Sequence, residues 1–153
     1  MSIQSEHEYE DLLGQWSDLE SGLAVILSNS GNAQEFVLRV VQYDRWIQSL
    51  MQHDADVGLY LLFQLASNSP VGYSASHALV CATLCHLLAA ELMLSAKERD
   101  SLVRAALTMN IAMTTLQDTL ANQVDKPDAA QQTTIRTHGM KGSMMLTNLG
   151  VAD

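Results

Sequence analysis

His77, Cys81 and Cys85 recur at i, i+4 and i+8, so a helix carrying them presents all three along one stripe. Imidazole and thiolate are good zinc ligands. Three ligands strung over two turns cannot all reach one ion, although a pair could, with help from elsewhere. The competing expectation is a core stripe, because free cysteine is among the most buried residue types, and that reading is preferred. A disulfide is not expected: side chains four apart on a helix have Cβ atoms roughly 5–6 Å apart, beyond the about 3.5–4.5 Å that a disulfide requires. Met109, Met113, Met140, Met144 and Met145 would suit a soft-metal or adaptable binding surface. Methionine also fills irregular cores, and that use is preferred here too. His138 and Gly139 lie in the polar stretch from Thr133 to Lys141, where a single histidine is expected at a solvated loop or helix end. No Gly-rich phosphate loop, Ser-His-Asp order or Cys-x-x-Cys pattern occurs. Residue chemistry alone assigns no reaction.

Composition narrows the class. The chain has 153 residues, a length typical of one domain. Of these, 48% are hydrophobic but only 5% aromatic, and proline occurs twice. Leu, Ala and Met dominate the apolar set, and straight-chain residues lose little rotamer freedom in a helix. An all-α fold is therefore expected. The formal net charge is −9, a sign that repels phosphate backbones and anionic lipid. No nucleic-acid partner and no membrane partner are expected. The N-terminus, MSIQSEHEYEDLLGQW, lacks the pattern of a signal peptide. The most apolar run, Ala78 to Leu94, is interrupted by His86 and Glu91 and is short for a span. Two reduced thiols and no targeting segment point to the cytoplasm.

The elements that would position these residues are legible from their punctuation. Glu8 to Leu27 reads as a first helix, with a bend near Gly14. Ser28-Asn29-Ser30-Gly31 breaks it. Asn32, with Glu35 three residues on, predicts a capping box for a second helix. The apolar face of that helix would be Phe36, Val37, Val40, Val41, Ile47 and Met51. Asp54 predicts the cap of a third helix, 55–66. Ser74 is expected to open a long, largely apolar helix to about Leu94, buried at the centre of the fold. Ser95 and Glu98 predict a capping box for a helix from Ala96 to Met113, with a short continuation over 116–123. Two further helices are expected over 130–138 and 140–149, with Gly150 as a stop.

One stretch also carries a family resemblance. The sequence reads Tyr73-Ser74-Ala75-Ser76-His77, then Ala105-Ala106-Leu107-Thr108-Met109-Asn110-Ile111-Ala112-Met113, then Leu116-Gln117-Asp118. His138-Gly139-Met140-Lys141-Gly142 then leads to Leu149-Gly150. In this order and spacing, Tyr73 to Gly150 resembles the first part of the HD/HD-GYP phosphohydrolases. These open a helix with Tyr-Ser/Thr-x-x-His and close the next with Ala-Ala-Leu-Leu-His-Asp-Ile-Gly-Lys. An Ile-Pro-Asp turn and a His-Pro-x-x-Gly segment follow. The resemblance implies an HD-domain-like helical bundle over residues 71–153, with residues 1–70 as helices packing on it. It also implies a remnant metal site at His77, Asn110, Asp118 and His138, which in a working relative would hold a divalent ion such as manganese, iron or zinc.

The departures weigh against catalysis. The family's His-Asp pair is Met109-Asn110, and its lysine position is Met113. A thioether is a poor ligand for such ions, and a neutral amide cannot bridge two cations as a carboxylate does. The sequence also ends at Asp153, before the His-His-Glu and Gly-Tyr-Pro segments, which suggests a fragment or a naturally shortened relative. The expected function is a non-catalytic module for bacterial signalling or protein interaction, with no cofactor and with protein partners or a homodimer. The alternative is a divergent metal-dependent phosphohydrolase acting on nucleotides or cyclic dinucleotides.

Overall fold

Local side-chain caps start three of the described helices. The computed structural model describes residues 6–32 and 35–151. Within them run α1 (Glu6–Ser28), α2 (Phe36–His53), α3 (Ala55–Ser67), α4 (Tyr73–Glu91), α5 (Ala96–Thr108), α6 (Thr114–Asn122) and α7 (Ala129–Asn148). Short 3-10 turns lie at Ser30–Asn32 and Ile111–Met113. No strand occurs among the described residues, and the chain is all-α. Asp54 caps α3 by accepting from the Val57 N–H at 3.0 Å. Ser95 and Glu98 form the expected reciprocal capping box at the start of α5, each satisfying a donor that the first turn leaves unpaired.

The core is shared across the whole chain. In α1 the buried residues Leu12, Trp16, Leu19, Leu23 and Ile26 recur at steps of three and four, and α1 runs unbroken through Gly14. Of the twenty-one buried apolar side chains of the core cluster among the described residues, fourteen come from α1, α2 and α3. α1, α2 and α3 therefore supply much of the core. α4 lies centrally, against α1, α2, α3, α5 and α6. It is long and apolar enough to cross a membrane by length and composition, but half of that window is buried inside the fold.

Several sequence expectations shift. The second helix begins at Phe36, and Glu35 is its N-cap residue, in a left-handed conformation (φ 58°) without a side-chain cap bond. Glu35 is thus outside the helix and not the third residue of a capping box. The side chain of Asn32 and residues 33–34 lie outside the described residues. On α2, Val37 is exposed and Val41 only half-buried, while Asp44 and Leu50 join the buried face. α5 stops at Thr108, and the tighter turn after it redirects the chain, burying Ile111 and bringing α6 to α4.

The expected pair of C-terminal helices is the single helix α7. Asp128 and Gln131 close a capping box at its start, and the hydroxyls of Thr133, Thr134 and Thr137 bond the carbonyls four residues back. Gly139 weakens a helix by about 1 kcal/mol relative to alanine but does not end one whose flanking bonds are intact. Gly150 follows as the stop, with φ +92°.

Candidate functional site

The N-terminal end of α4 is built on α6. Gly72, the N-cap residue, has φ 112° and no side chain to cap the helix. The carboxylate of Asp118, one turn into α6, takes that role from 44 residues away: its Oδ1 accepts from the Ser74 N–H at 2.7 Å. A Cβ at residue 72 would meet this carboxylate at 3.0 Å, so glycine suits both the dihedral angle and the space. The Ser74 hydroxyl donates to the Thr114 carbonyl at 2.8 Å, tying the same two elements again. A carboxylate is favoured at this position because it meets unpaired N–H groups at the positive end of the helix dipole.

One helical turn further on, His77 is half-buried. Its ring stacks on Tyr73 with centroids 5.3 Å apart and planes at 12°. Its Nε2 lies 3.7 Å from Cys81 Sγ. Cys81 and Cys85 are both free and half-buried. The stripe of His77, Cys81 and Cys85 therefore borders the core rather than forming its interior. Burial pushes both thiols above their ordinary value, and the adjacent Cys85 adds to the effect at Cys81. Thiols held protonated in this way are weak nucleophiles and weak ligands.

Asn110 follows the end of α5 and precedes the Ile111–Met113 turn, against which α7 packs. The approach is close at Gly142, where a Cβ would lie 3.6 Å from Ile111 Cγ2. His138 sits on α7, with Nδ1 engaged by the carbonyl of Ile135 at 2.5 Å. Beside it a groove of about 390 Å³ runs between α5 and α7, lined among others by Ala105, Met109, Gly139, Gly142, Ser143 and Leu146. Met109, Met140 and Met144 are exposed, against the expectation of core filling, whereas Met113 and Met145 are half-buried. Thus His77 and Asp118 serve the start of α4, and Asn110 and His138 belong to the α5–α7 side. Among the described residues, no three His, Cys, Asp or Glu side chains gather where they could hold a metal ion.

A second polar centre was not anticipated from the sequence. Asp44 of α2 is fully buried. Its Oδ1 accepts from Gln48 at 3.0 Å and from His86 Nε2 of α4 at 3.1 Å. Its Oδ2 accepts from Arg104 Nε of α5 at 2.8 Å, and Arg104 continues outward to Asp100. Burial alone would raise the Asp44 carboxyl. The bonds from His86, Gln48 and Arg104, with the Arg104 charge, outweigh it and hold the group below the ordinary carboxylate value. The available signal was a charged residue at helical spacing inside the apolar stripe of α2, facing a histidine that interrupts the apolar run of α4. The centre joins three helices and lies outside the α5–α7 groove, so its arrangement is that of a structural clamp.

Comparison with protein-family models, with curated proteins and with solved structures returned no match for this chain.

Proposed function

We propose that the chain is a non-catalytic, HD-like signalling or protein-interaction module of the cytoplasm, acting through partner contacts. Its kinship with metal-dependent phosphohydrolases is part of the proposal and rests on the motif order between Tyr73 and Gly150. The observation that carries the non-catalytic reading is the bond from the Ser74 N–H to Asp118. Asp118 is the one anionic side chain of the four remnant positions, and it holds the start of α4. A dinuclear phosphohydrolase needs carboxylate to neutralise two cations and to bridge them, and Met109-Asn110 supply none. The exposed apolar side chains of α4 and α5, Tyr73, Leu84, Leu88 and Leu102, favour a protein partner, since exposed apolar surface is what partners bury.

The divergent-phosphohydrolase reading draws on one observation: the groove between α5 and α7 is lined by Met109 and Gly139, the chain neighbours of Asn110 and His138. Elemental analysis of the purified chain and a phosphodiesterase assay with added manganese separate the two. Less than stoichiometric metal and no turnover of cyclic dinucleotides are expected. One metal or more per chain, with turnover abolished by His77→Ala, would overturn the non-catalytic reading.

A further inference from the structure

The outward side of α4 has the pattern of a helix seam that the fold covers only in part. Tyr73, His77, Val80, Leu84, Leu87 and Glu91 follow one another at steps of four, three, four, three and four residues, the 3.5-residue repeat of coiled-coil contacts. None of the six is buried. The opposite side of the same helix, with Ala78, Leu79 and Ala82, is the core. α4 therefore carries two apolar faces, one buried and one left partly exposed at Tyr73, Leu84 and Glu91.

We propose that this stripe, flanked by the outer face of α5, packs antiparallel against the same stripe of a second copy of the chain. The proposal rests on the partner-binding reading and names its partner. Charge argues for a second copy. The chain carries −9 overall, so copies repel over most of their surface, yet residues 73–90 contain no Asp, Glu, Lys or Arg. Two copies can approach along this stripe without opposing charges. Antiparallel pairing also sets the positive start of each helix dipole beside the negative end of the other.

The ends of the stripe match each other in the same way. His77 and Glu91 lie seven residues before and after Leu84 on one face of the helix. A twofold axis at Leu84 brings His77 of one copy to Glu91 of the other, twice. Area argues in the same direction. Tyr73, Leu84, Leu88 and Leu92 of α4 and its cap, with Leu102 and Met109 of α5 and its cap, are each 38–64% exposed. Together they offer on the order of 400 Å² of apolar surface, about half of the ~800 Å² that each partner buries in a standard interface. The half-buried Val80, Cys81, Cys85 and Leu87 beside them bring the apolar share toward the ~56–65% such interfaces carry.

Sedimentation equilibrium of the full chain at micromolar concentration tests this. Twice the monomer mass of 16.7 kDa is expected. Leu84→Glu should give a monomer with unchanged helical circular dichroism. His77→Glu should weaken the dimer about tenfold or more, and adding Glu91→Lys should restore most of that loss. The two positions are about 21 Å apart along one helix, so the rescue can arise only between copies. Where Leu84→Glu fails to fold, Leu84→Cys gives a second measurement, since cysteines on the axis should crosslink under mild oxidation in a Cys81→Ser, Cys85→Ser background. A monomer in the unmodified chain, a dimer that survives Leu84→Glu, or a dimer without the Leu84→Cys crosslink would each overturn the proposal. A monomer would leave the partner-binding reading in place. Metal-dependent turnover in a dimer would remove that reading and keep the seam.

Discussion

Asp44 and Glu20 are both carboxylates with essentially no exposure, 0% and 1%, and the fold treats them differently. Asp44 receives Gln48, His86 and Arg104, so both oxygens are bonded and the negative charge faces a guanidinium. Glu20 receives the Ser76 hydroxyl on one oxygen through a short bond, and its Oε2 is the buried side-chain oxygen that lacks a partner among the described residues. A buried charge stabilises a fold only when its partners replace the water it has lost. Asp44 meets that condition and links α2, α4 and α5. Glu20 meets it only in part.

The difference predicts opposite outcomes on removal. Asp44→Ala leaves the buried His86 without its acceptor and Arg104 with Asp100 alone, and breaking a buried pair from one side costs up to about 3–5 kcal/mol. Urea unfolding should show a loss of that size, and a change below about 1 kcal/mol would mean that the clamp is ornamental. The largest effect in the molecule is expected here.

Acid should reveal the same clamp at smaller amplitude. The Asp44 carboxyl is held below its ordinary value, while an unfolded aspartate titrates near about 3.9. The stability it contributes is fully present above the unfolded value and is lost as pH falls through that value toward the folded one. Chemical unfolding between neutral pH and pH 3 should therefore show a decline that is shallower in Asp44→Asn. Parallel slopes for the two proteins would assign the acid loss to other carboxylates.

The smallest effect is expected at Glu20. Glu20→Met keeps the shape and removes a partly satisfied buried acid. The Ser76 hydroxyl retains the Gly72 carbonyl at 3.2 Å as an acceptor. Replacement of incompletely paired buried charge by an apolar isostere is often neutral or stabilising, so the midpoint should stay or rise. A loss comparable to that of Asp44→Ala would show that Glu20 has a partner equal to those of Asp44 and would erase the contrast.

The elements that sequence alone determined are those whose causes sit within one turn of the helix. The caps at Asp54 and at Ser95 with Glu98 work through bonds three residues long. The all-α class follows from composition and from helical spacing, and the central place of α4 follows from its near-continuous apolar run. The Asp128–Gln131 box that starts α7 has the same short range, so its pattern was legible as well.

Tertiary structure decided the rest because the causes lie far apart in the chain. Asp118 reaches the start of α4 across 44 residues. Asp44 meets His86 across 42 residues and Arg104 across 60. No period in the sequence records such distances, which is why Asp44 drew no reading from the sequence and Asp118 was read through the family resemblance alone. Burial of a charged group depends on partners that only the packed helices bring together.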